Sequence, residues 1–262
     1  MSKKISRTPI SSLELTRLHY RCLKARVGYK TKITEWCSQT GDKAGTIFLM
    51  NLLDTSGEIT GVVFDHLCNT FYDQIEAGKV YLFSKFEVQR ADGRYKIVHN
   101  PHQILFREET VLKEIEDDVD IPRMMVKLSP LYKVPRRQTL ALVDTIGICK
   151  EVYYPVNRGG YQIQELILLD SSKKSVEIML NLWNKEVDKL NIWPGDIILV
   201  KGTRVKDHEG KKKLNFDWFS FMKINPKVPK GHPLHKKLKE LMYLKNNLLK
   251  QTMFNCREIL VE

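Results

Sequence analysis

Apolar and polar positions along the chain fall into one order, and the order occurs twice. Residues 47–89 open on an apolar run that closes at Leu53-Asp54-Thr55-Ser56 and turn through Gly57 into a second run ending at Phe64. A short amphipathic stretch with Phe71 and Ile75 follows, then Gly78-Lys79-Val80-Tyr81-Leu82-Phe83. Residues 166–206 repeat the sequence of events with Leu169-Asp170-Ser171-Ser172, a run ending at Trp183, Val187 and Leu190, and Gly195-Asp196-Ile197-Ile198-Leu199-Val200. Short apolar runs bounded by Gly, Asp and Ser predict strands, and the 3–4-residue spacing between them predicts a helix.

A further strand is expected before each unit, at Leu23–Val27 and at Ala141–Ile148, and a final strand after a charged turn, at Arg94–Val98 and at Leu214–Met222. Strand, hairpin, helix, strand and final strand describe a five-stranded Greek-key barrel with a helix between strands three and four, which is the OB arrangement. The fold class is thus all-β dominated, with two tandem OB-fold barrels. The segments read as a first barrel over 1–107, an acidic linker over 108–123 ending near Pro122, a second barrel over 124–229, and a tail over 230–262. In the tail, Leu234, Leu238, Leu241, Met242, Leu248 and Leu249 recur at helical spacing among Lys236, Lys237, Lys239 and Lys250, so a C-terminal amphipathic helix is expected. The plainer reading of such a stripe is docking onto its own barrel, and the sharper one is a partner or oligomer helix over 234–250.

Charge narrows the partner. The 262 residues carry 43 Lys+Arg against 31 Asp+Glu, a net charge of +12, which favours a polyanion. No apolar run reaches the ~20 residues that span a bilayer, and the N-terminus lacks an apolar signal region, so an intracellular protein without a membrane partner is expected. The five cysteines form no C-x-x-C pair and read as reduced, mostly buried thiols; no metal or other cofactor is expected. Paired carboxylates in an apolar setting, a P-loop and a defensible nucleophile–base arrangement are all lacking, so the chain reads as a binding protein rather than an enzyme. Asp54 and Asp170 recur, and a strand-ending Asp beside Ser reads as turn chemistry.

Specific segments then resemble a known family. Thr8–Leu13, Ala25-Arg26-Val27, Lys32-Ile33-Thr34-Glu35-Trp36, Leu53–Ile59, Lys79-Val80-Tyr81 and Ser84-Lys85 are similar to the first of the two central DNA-binding OB domains of the replication protein A large subunit. Leu142–Lys150, Leu182-Trp183 and Lys201-Gly202-Thr203-Arg204-Val205 resemble the second. The resemblance covers roughly 8–230. It does not take in the family's N-terminal interaction domain or its zinc-ribbon-bearing trimerisation domain, so the chain reads as a two-domain paralogue, a divergent short form or a fragment. The family implies sequence-tolerant binding of single-stranded DNA in replication, repair or recombination, a nuclear location, and possible association with replication-protein-A-like subunits.

Carried over residue by residue, the resemblance puts base-stacking rings at Phe64 and Tyr95 in the first domain, with Trp36 as a loop aromatic and Arg26 and Lys85 in the groove. In the second it puts stacking at Trp183, with its partner ring replaced by His208, a groove arginine at Arg204, and the basic run Lys211, Lys212 and Lys213. The residues themselves add Lys30 and Lys32 near Trp36, and Arg94 and Lys96 on either side of Tyr95. Stacking on aromatic platforms beside a cationic track suits single strands of any sequence, because every base has a π-face. Each residue also has a plainer reading. Phe64 and Trp183 suit a barrel core, Tyr95 a surface cross-strand pair, Trp36 a barrel-end cover, and His208 a solvated turn. Phe216, Trp218, Phe219 and Phe221 read mostly as core. With one ring exchanged for histidine and lysines, the second domain is expected to bind more electrostatically than the first. RNA, which OB folds also bind, and a protein-adaptor role remain open at this stage.

Overall fold

The computed structural model describes residues 7–259 apart from 21, 39, 171–175, 185, 186, 188–190, 229 and 233, with no side chains described at 19 and 248–259. The chain divides into two units, residues 1–125 and 126–262. Each is a curled, mostly antiparallel sheet closed on itself, with one parallel strand pair.

In the first unit, strands β1 (Thr16–His19), β2 (Leu23–Lys30), β3 (Thr34–Cys37), β4 (Ala44–Leu53) and β5 (Glu58–Phe64) precede helix α1 (His66–Phe71). Then come β6 (Val80–Ser84), β7 (Phe86–Arg90), β8 (His102–Leu105) and β9 (Val111–Ile115). The hydrogen-bonded path runs β7-β8-β5-β4-β2-β6, so both of its ends lie on two halves of one strand, broken only at Lys85 with φ +55°. That kink lets one strand serve two neighbours and closes the barrel. Strands β5 and β8 are parallel, as the Greek key requires. Leu23, Ala25 and Val27 of β2, Phe48, Met50 and Leu52 of β4, and Ile59 and Val63 of β5 alternate into one buried cluster with Phe83 and Phe86, the period of two expected of a pleated strand.

The second unit repeats the design with β10 (Leu142–Val152), β11 (Val156–Arg158), β12 (Tyr161–Leu169), β13 (Glu177–Trp183), β14 (Ile197–His208), β15 (Lys211–Asn215) and β16 (Phe221–Ile224). Here β14 is continuous and pairs with both β10 and β15, closing the ring directly. Of the second predicted short helix, Leu190 lies outside the described residues, while Val187 is buried. Helix α2 (Leu234–Ile259) follows, its first N–H groups met by His232, whose imidazole accepts from Leu234 at 3.1 Å and whose carbonyl accepts from His235 at 2.8 Å.

Three expectations change, and one of the two readings of the tail helix is selected. Arg94–Val98 is a turn rather than the final strand, because Tyr95 and Lys96 donate back to the Asp92 carbonyl at 3.0 and 2.9 Å; the final strand is β8. Leu214–Met222 splits into the end of β15 and the start of β16 around the turn in which Ser220 donates to Asp217. The acidic segment is not a linker. Val111–Ile115 adds to the edge of β6, the place that Phe221–Ile224 takes beside β14, so each barrel carries an additional strand at the same edge. The tail helix docks on its own barrel through Leu234, Leu238 and Leu241, whereas Met242 is exposed and the side chains of Leu248 and Leu249 lie outside the described residues.

The recurring aspartates have a shared duty. Asp54 Oδ2 accepts from Ile10 N at 2.7 Å and Asp170 Oδ2 from Leu131 N at 3.1 Å, each anchoring a 3-10 turn that leads into its barrel. Asp54 Oδ1 also receives Ser56 and Gly57, the turn role expected of it. Asp170 Oδ1 instead takes Lys237 of α2 at 2.6 Å, so the same position fastens the helix. Of the described cysteines, Cys68 and Cys149 are buried, Cys22 is half-buried and Cys37 is exposed; burial pushes the Cys149 thiol up to about 12.

The acidic segment is held by Arg26, only 1% exposed. Its guanidinium donates to Asp117 at 2.6 Å and to the carbonyls of Gly78, Asp118 and Ile121, while Lys24 reaches Asp118 at 2.5 Å. Arg26→Met leaves these carbonyls without their donor and is expected to lower stability by about 2–4 kcal/mol, read as a drop in the denaturant midpoint. Hydrogen bonds from Arg26 and Lys24 hold the Asp117 and Asp118 carboxyls below their ordinary range. A carboxyl depressed on folding contributes stability that is present above its unfolded pKa of about 4 and lost as pH falls through the folded value. Denaturant midpoints should therefore decline below about pH 4, and Asp117→Asn with Asp118→Asn should flatten that decline.

Candidate nucleic-acid interface

The parity of the pleat decides what the strand-end aromatics face. In β13, Ile178, Leu180 and Leu182 enter the core, so Trp183 falls on the opposite face. In β5, Ile59 and Val63 enter the core, and Phe64 likewise falls opposite. Both rings remain half-buried. Their immediate cross-strand neighbours are Ile47 and Ile163 at equivalent register, an apolar floor beneath each ring.

A second repeat fixes the strand ends. Phe64 is followed by Asp65 at φ +53° and Trp183 by Asn184 at φ +47°, both at positive φ, which is uncommon for residues with a side chain. Asp65 N donates to Thr46 O at 2.7 Å and Asn184 N to Gln162 O at 2.8 Å. In return, Thr46 N donates to Asp65 Oδ1 at 3.3 Å and Gln162 N to Asn184 Oδ1 at 3.0 Å. The chain therefore turns sharply just past each ring while the ring stays pinned to the sheet.

In the first barrel three rings form a row. Trp36 on β3 lies edge-on to Phe64 with centroids 5.5 Å apart, and Tyr95 lies edge-on to Phe64 at 5.6 Å. Trp36 is opposite Gly45 in register, and the absence of a side chain there leaves room for the indole. A Cβ on Gly45 would come within 1.9 Å of Asp65 Oδ1 and 3.0 Å of Trp36 Nε1. Although Tyr95 sits in a turn, the turn is held: Ile97 N donates to Thr60 Oγ1 of β5 and Asp92 N to Gln103 Oε1 of β8. Burial raises the Tyr95 phenol above its ordinary pKa.

In the second barrel Trp183 meets a ring that sequence reasoning passed over. Tyr161 lies edge-on to it, centroids 6.4 Å apart and planes 80° apart. Tyr161 opens β12 two residues before Ile163, the register at which the first barrel has Gly45, and its own partner across the hairpin is Arg158. The signal was present. Arg158-Gly159-Gly160-Tyr161 is a two-residue hairpin with both glycines at positive φ, and Gly-Gly between two strands predicts such a turn. His208 stands at the β14–β15 tip opposite Lys211, and both are exposed.

Comparison with known proteins follows the same repeat. The Replication protein A OB domain family matches residues 131–225, and the Domain of unknown function DUF223 matches 32–134. The Replication protein A 70 kDa DNA-binding subunit of Drosophila melanogaster is 36% identical over 234 residues, covering 86% of this chain and 38% of that protein. Replication factor A protein 1 of Saccharomyces cerevisiae is 30% identical, covering 81% and 34%. The chain is homologous to the replication protein A large subunit. It spans little more than a third of the length of these relatives. Its fold aligns with a chain from a replication protein A heterotrimer bound to ssDNA at a TM-score of 0.61 and 27% identity, covering 92% of this chain and 55% of that one.

The replication protein A resemblance also nominated basic residues, and the structure sorts them differently. Arg26 is enclosed by the acidic segment, because β9 and the residues after it cover its side of the barrel. Arg204 is also buried, with Nε 3.3 Å from Asp217 and its guanidinium over the Phe219 ring at 4.8 Å. Lys30 donates to the carbonyls of Tyr72 and Ile75 at 2.6 Å each, where it caps the end of the α1 region; burial lowers its pKa. All three charges have partners within their own barrel. Arg94 pairs with Asp92 at 2.7 Å and covers Tyr95, while Lys96 is half-buried. Lys212 reaches Asp207 at 2.6 Å, which depresses that carboxyl, and Lys213 reaches Glu165 at 3.1 Å. Lys32, Lys85 and Lys211 are exposed. Of the aromatic cluster near 216–221, Phe216 and Phe219 are buried, Phe221 is half-buried and Trp218 is exposed. Among the described residues no group of His, Cys, Asp and Glu could hold a metal, and no helix is long and apolar enough to cross a membrane.

Because Gly45 leaves the space that Trp36 fills, Gly45→Ala is expected to displace Trp36 or the Asp65 carboxylate and to lose an edge contact worth about 0.5–1.5 kcal/mol. The aromatic circular dichroism band should weaken and the denaturant midpoint fall. If both stay at the parent's values, Gly45 does not set the Trp36 position.

Proposed function

We propose that this chain binds single-stranded DNA with little sequence specificity, through aromatic platforms on the outer face of each barrel assisted by exposed lysines. The reading is of a binding protein without catalytic chemistry, working in the nucleus in replication, repair or recombination, with replication-protein-A-like subunits as candidate partners. The observation that carries it is the repeated outward ring. Phe64 and Trp183 occupy the same register, each is followed by a positive-φ Asp or Asn hydrogen-bonded across the strand pair, and each has a second ring beside it. Two unrelated core-packing accidents would not repeat the register, the turn and the companion ring together. Homology to a DNA-binding subunit supports the ligand class.

Stacking supplies about 1–3 kcal/mol per base and suits any sequence. Exposed pairs such as Arg94–Asp92 contribute little to stability, so a phosphate can take the guanidinium without a large penalty. Phe64→Ala with Trp183→Ala removes two platforms and should weaken binding of a fluorescent single strand at least tenfold in a folded protein. Unchanged affinity would remove both rings from the interface. With about three to five phosphates neutralised, the logarithm of affinity should fall with that of salt at a slope of about −2 to −3.5. Parallel titrations with duplex DNA and RNA of equal length define the ligand. Equal or tighter binding of either would contradict the single-stranded DNA reading.

A further inference from the structure

We infer that Tyr161, with Arg158 across its hairpin, completes the base-binding subsite of the second barrel and acts there as the ring paired with Trp183, in the place expected for His208. The inference rests on the proposed single-strand binding and names the residues that perform it in this barrel.

Three observations converge. Tyr161 is 56% exposed, yet its ring lies at a fixed relation to Trp183, 6.4 Å between centroids with planes 80° apart. Two rings set at that angle form a corner. A base lying on one ring meets the other edge-on, the two arrangements that aromatic systems favour. The hairpin that carries Tyr161 is also built outward. Val156, Asn157 and Arg158 of β11 are all exposed, and Tyr154 just before them is 92% exposed. Solvent-facing aromatic, aliphatic and guanidinium groups on a tight Gly159-Gly160 turn are an unusual investment for a surface loop. They match what a single strand offers: flat apolar bases with phosphates alongside.

The third observation is a pair of unmet polar atoms beside the two rings. On the outward face of β13, the Trp183 Nε1–H and the Asn181 Oδ1 are both shielded from solvent and meet no hydrogen-bond partner. They stand two residues apart on the same side of the strand, a donor and an acceptor without a partner beside the aromatic corner. Buried polar groups without partners are uncommon in proteins, and a nucleobase edge carries both acceptors and donors. A base stacked on Tyr161 meets the edge of Trp183, and the in-plane Nε1–H can be reached only from that edge, once the groups that shield it move. His208 lacks this context. It stands at the tip of the β14–β15 hairpin beside Lys211.

The first barrel reaches the same end by the opposite strand. There the aromatic comes from β3 as Trp36 and the facing position is Gly45; in the second barrel the aromatic comes from β12 as Tyr161 and the facing position is Arg158. The ring beside the platform is kept while its strand of origin is exchanged.

The test uses the full chain and a fluorescent oligothymidine at two salt concentrations. Tyr161→Ala should weaken binding about 5- to 50-fold, Tyr161→Phe should stay within twofold of the parent, and His208→Ala should change affinity less than threefold. Arg158→Ala should reduce the salt slope without abolishing binding. Circular dichroism of each variant checks folding, and Tyr161, 56% exposed, contributes no buried core contact. If Tyr161→Ala binds within twofold of the parent while Trp183→Ala is impaired, the subsite assignment falls and the single-strand reading stands. If His208→Ala carries the larger loss, the second ring belongs to the β14–β15 tip. If the parent itself does not bind the oligonucleotide, the single-strand reading falls and takes this inference with it.

Discussion

The two-residue alternation of the third barrel strand governs most of what this protein presents to a ligand. Ile59 and Val63 in one copy, and Ile178, Leu180 and Leu182 in the other, must enter the core for the barrel to close. That requirement sends Phe64 and Trp183 to the other face, because successive side chains on a strand point to opposite sides. A one-residue slip would bury both rings and expose the aliphatic set, so the hydrophobic core itself enforces the register of the platforms. Asp65 and Asn184, both at positive φ, then stop the strand just past the ring. Core packing and the aromatic face are consequences of one constraint.

Closure of the barrels shows how the same plan tolerates different solutions. The first breaks its fourth strand at Lys85, while the second runs β14 unbroken past Gly202. The second places a salt bridge inside, Lys201 with Asp144 at 3.6 Å, and Asp144 Oδ1 also receives Gly202 N at 2.9 Å. A charge buried so fully is tolerated only with a partner and satisfied hydrogen bonds. The segments Leu142–Lys150 and Lys201–Val205, the most family-like of the second half, thus meet inside the barrel, where they hold it together.

The same logic reassigns much of the basic character. An excess of positive charge in the sequence reads as a track for polyanions, yet Arg26 and Arg204 serve the interior, and Lys30 serves the end of the α1 region. Several others face acidic neighbours. The acidic segment that seemed a solvated linker is the reason for one of these losses, since it folds back as a strand edge and encloses Arg26. Ring geometry, with a smaller set of exposed cations around it, therefore carries more of the functional argument than net charge.

Two OB barrels, their order and the turn role of Asp54 were legible in the sequence, because each depends on local periodicity or on turn chemistry, while Phe64 and Trp183 stood out through their recurrence in both halves and the family resemblance. The C-terminal helix was legible from its periodicity. Tyr95 was identified, but as part of a strand, because the backbone bonds that make its turn come from Asp92 and are anchored by Thr60 and Gln103 from elsewhere in the barrel. Which side of the barrel Arg26 and Arg204 face, what covers them, and which ring stands beside Trp183 were decided only by tertiary structure. A charged side chain reads alike in sequence whether it meets phosphate or a buried carboxylate, and the difference lies in partners such as Asp117, 91 residues away along the chain. Tyr161 lies 22 residues before Trp183, and the Gly159-Gly160 turn together with the pairing of β12 and β13 brings their rings together.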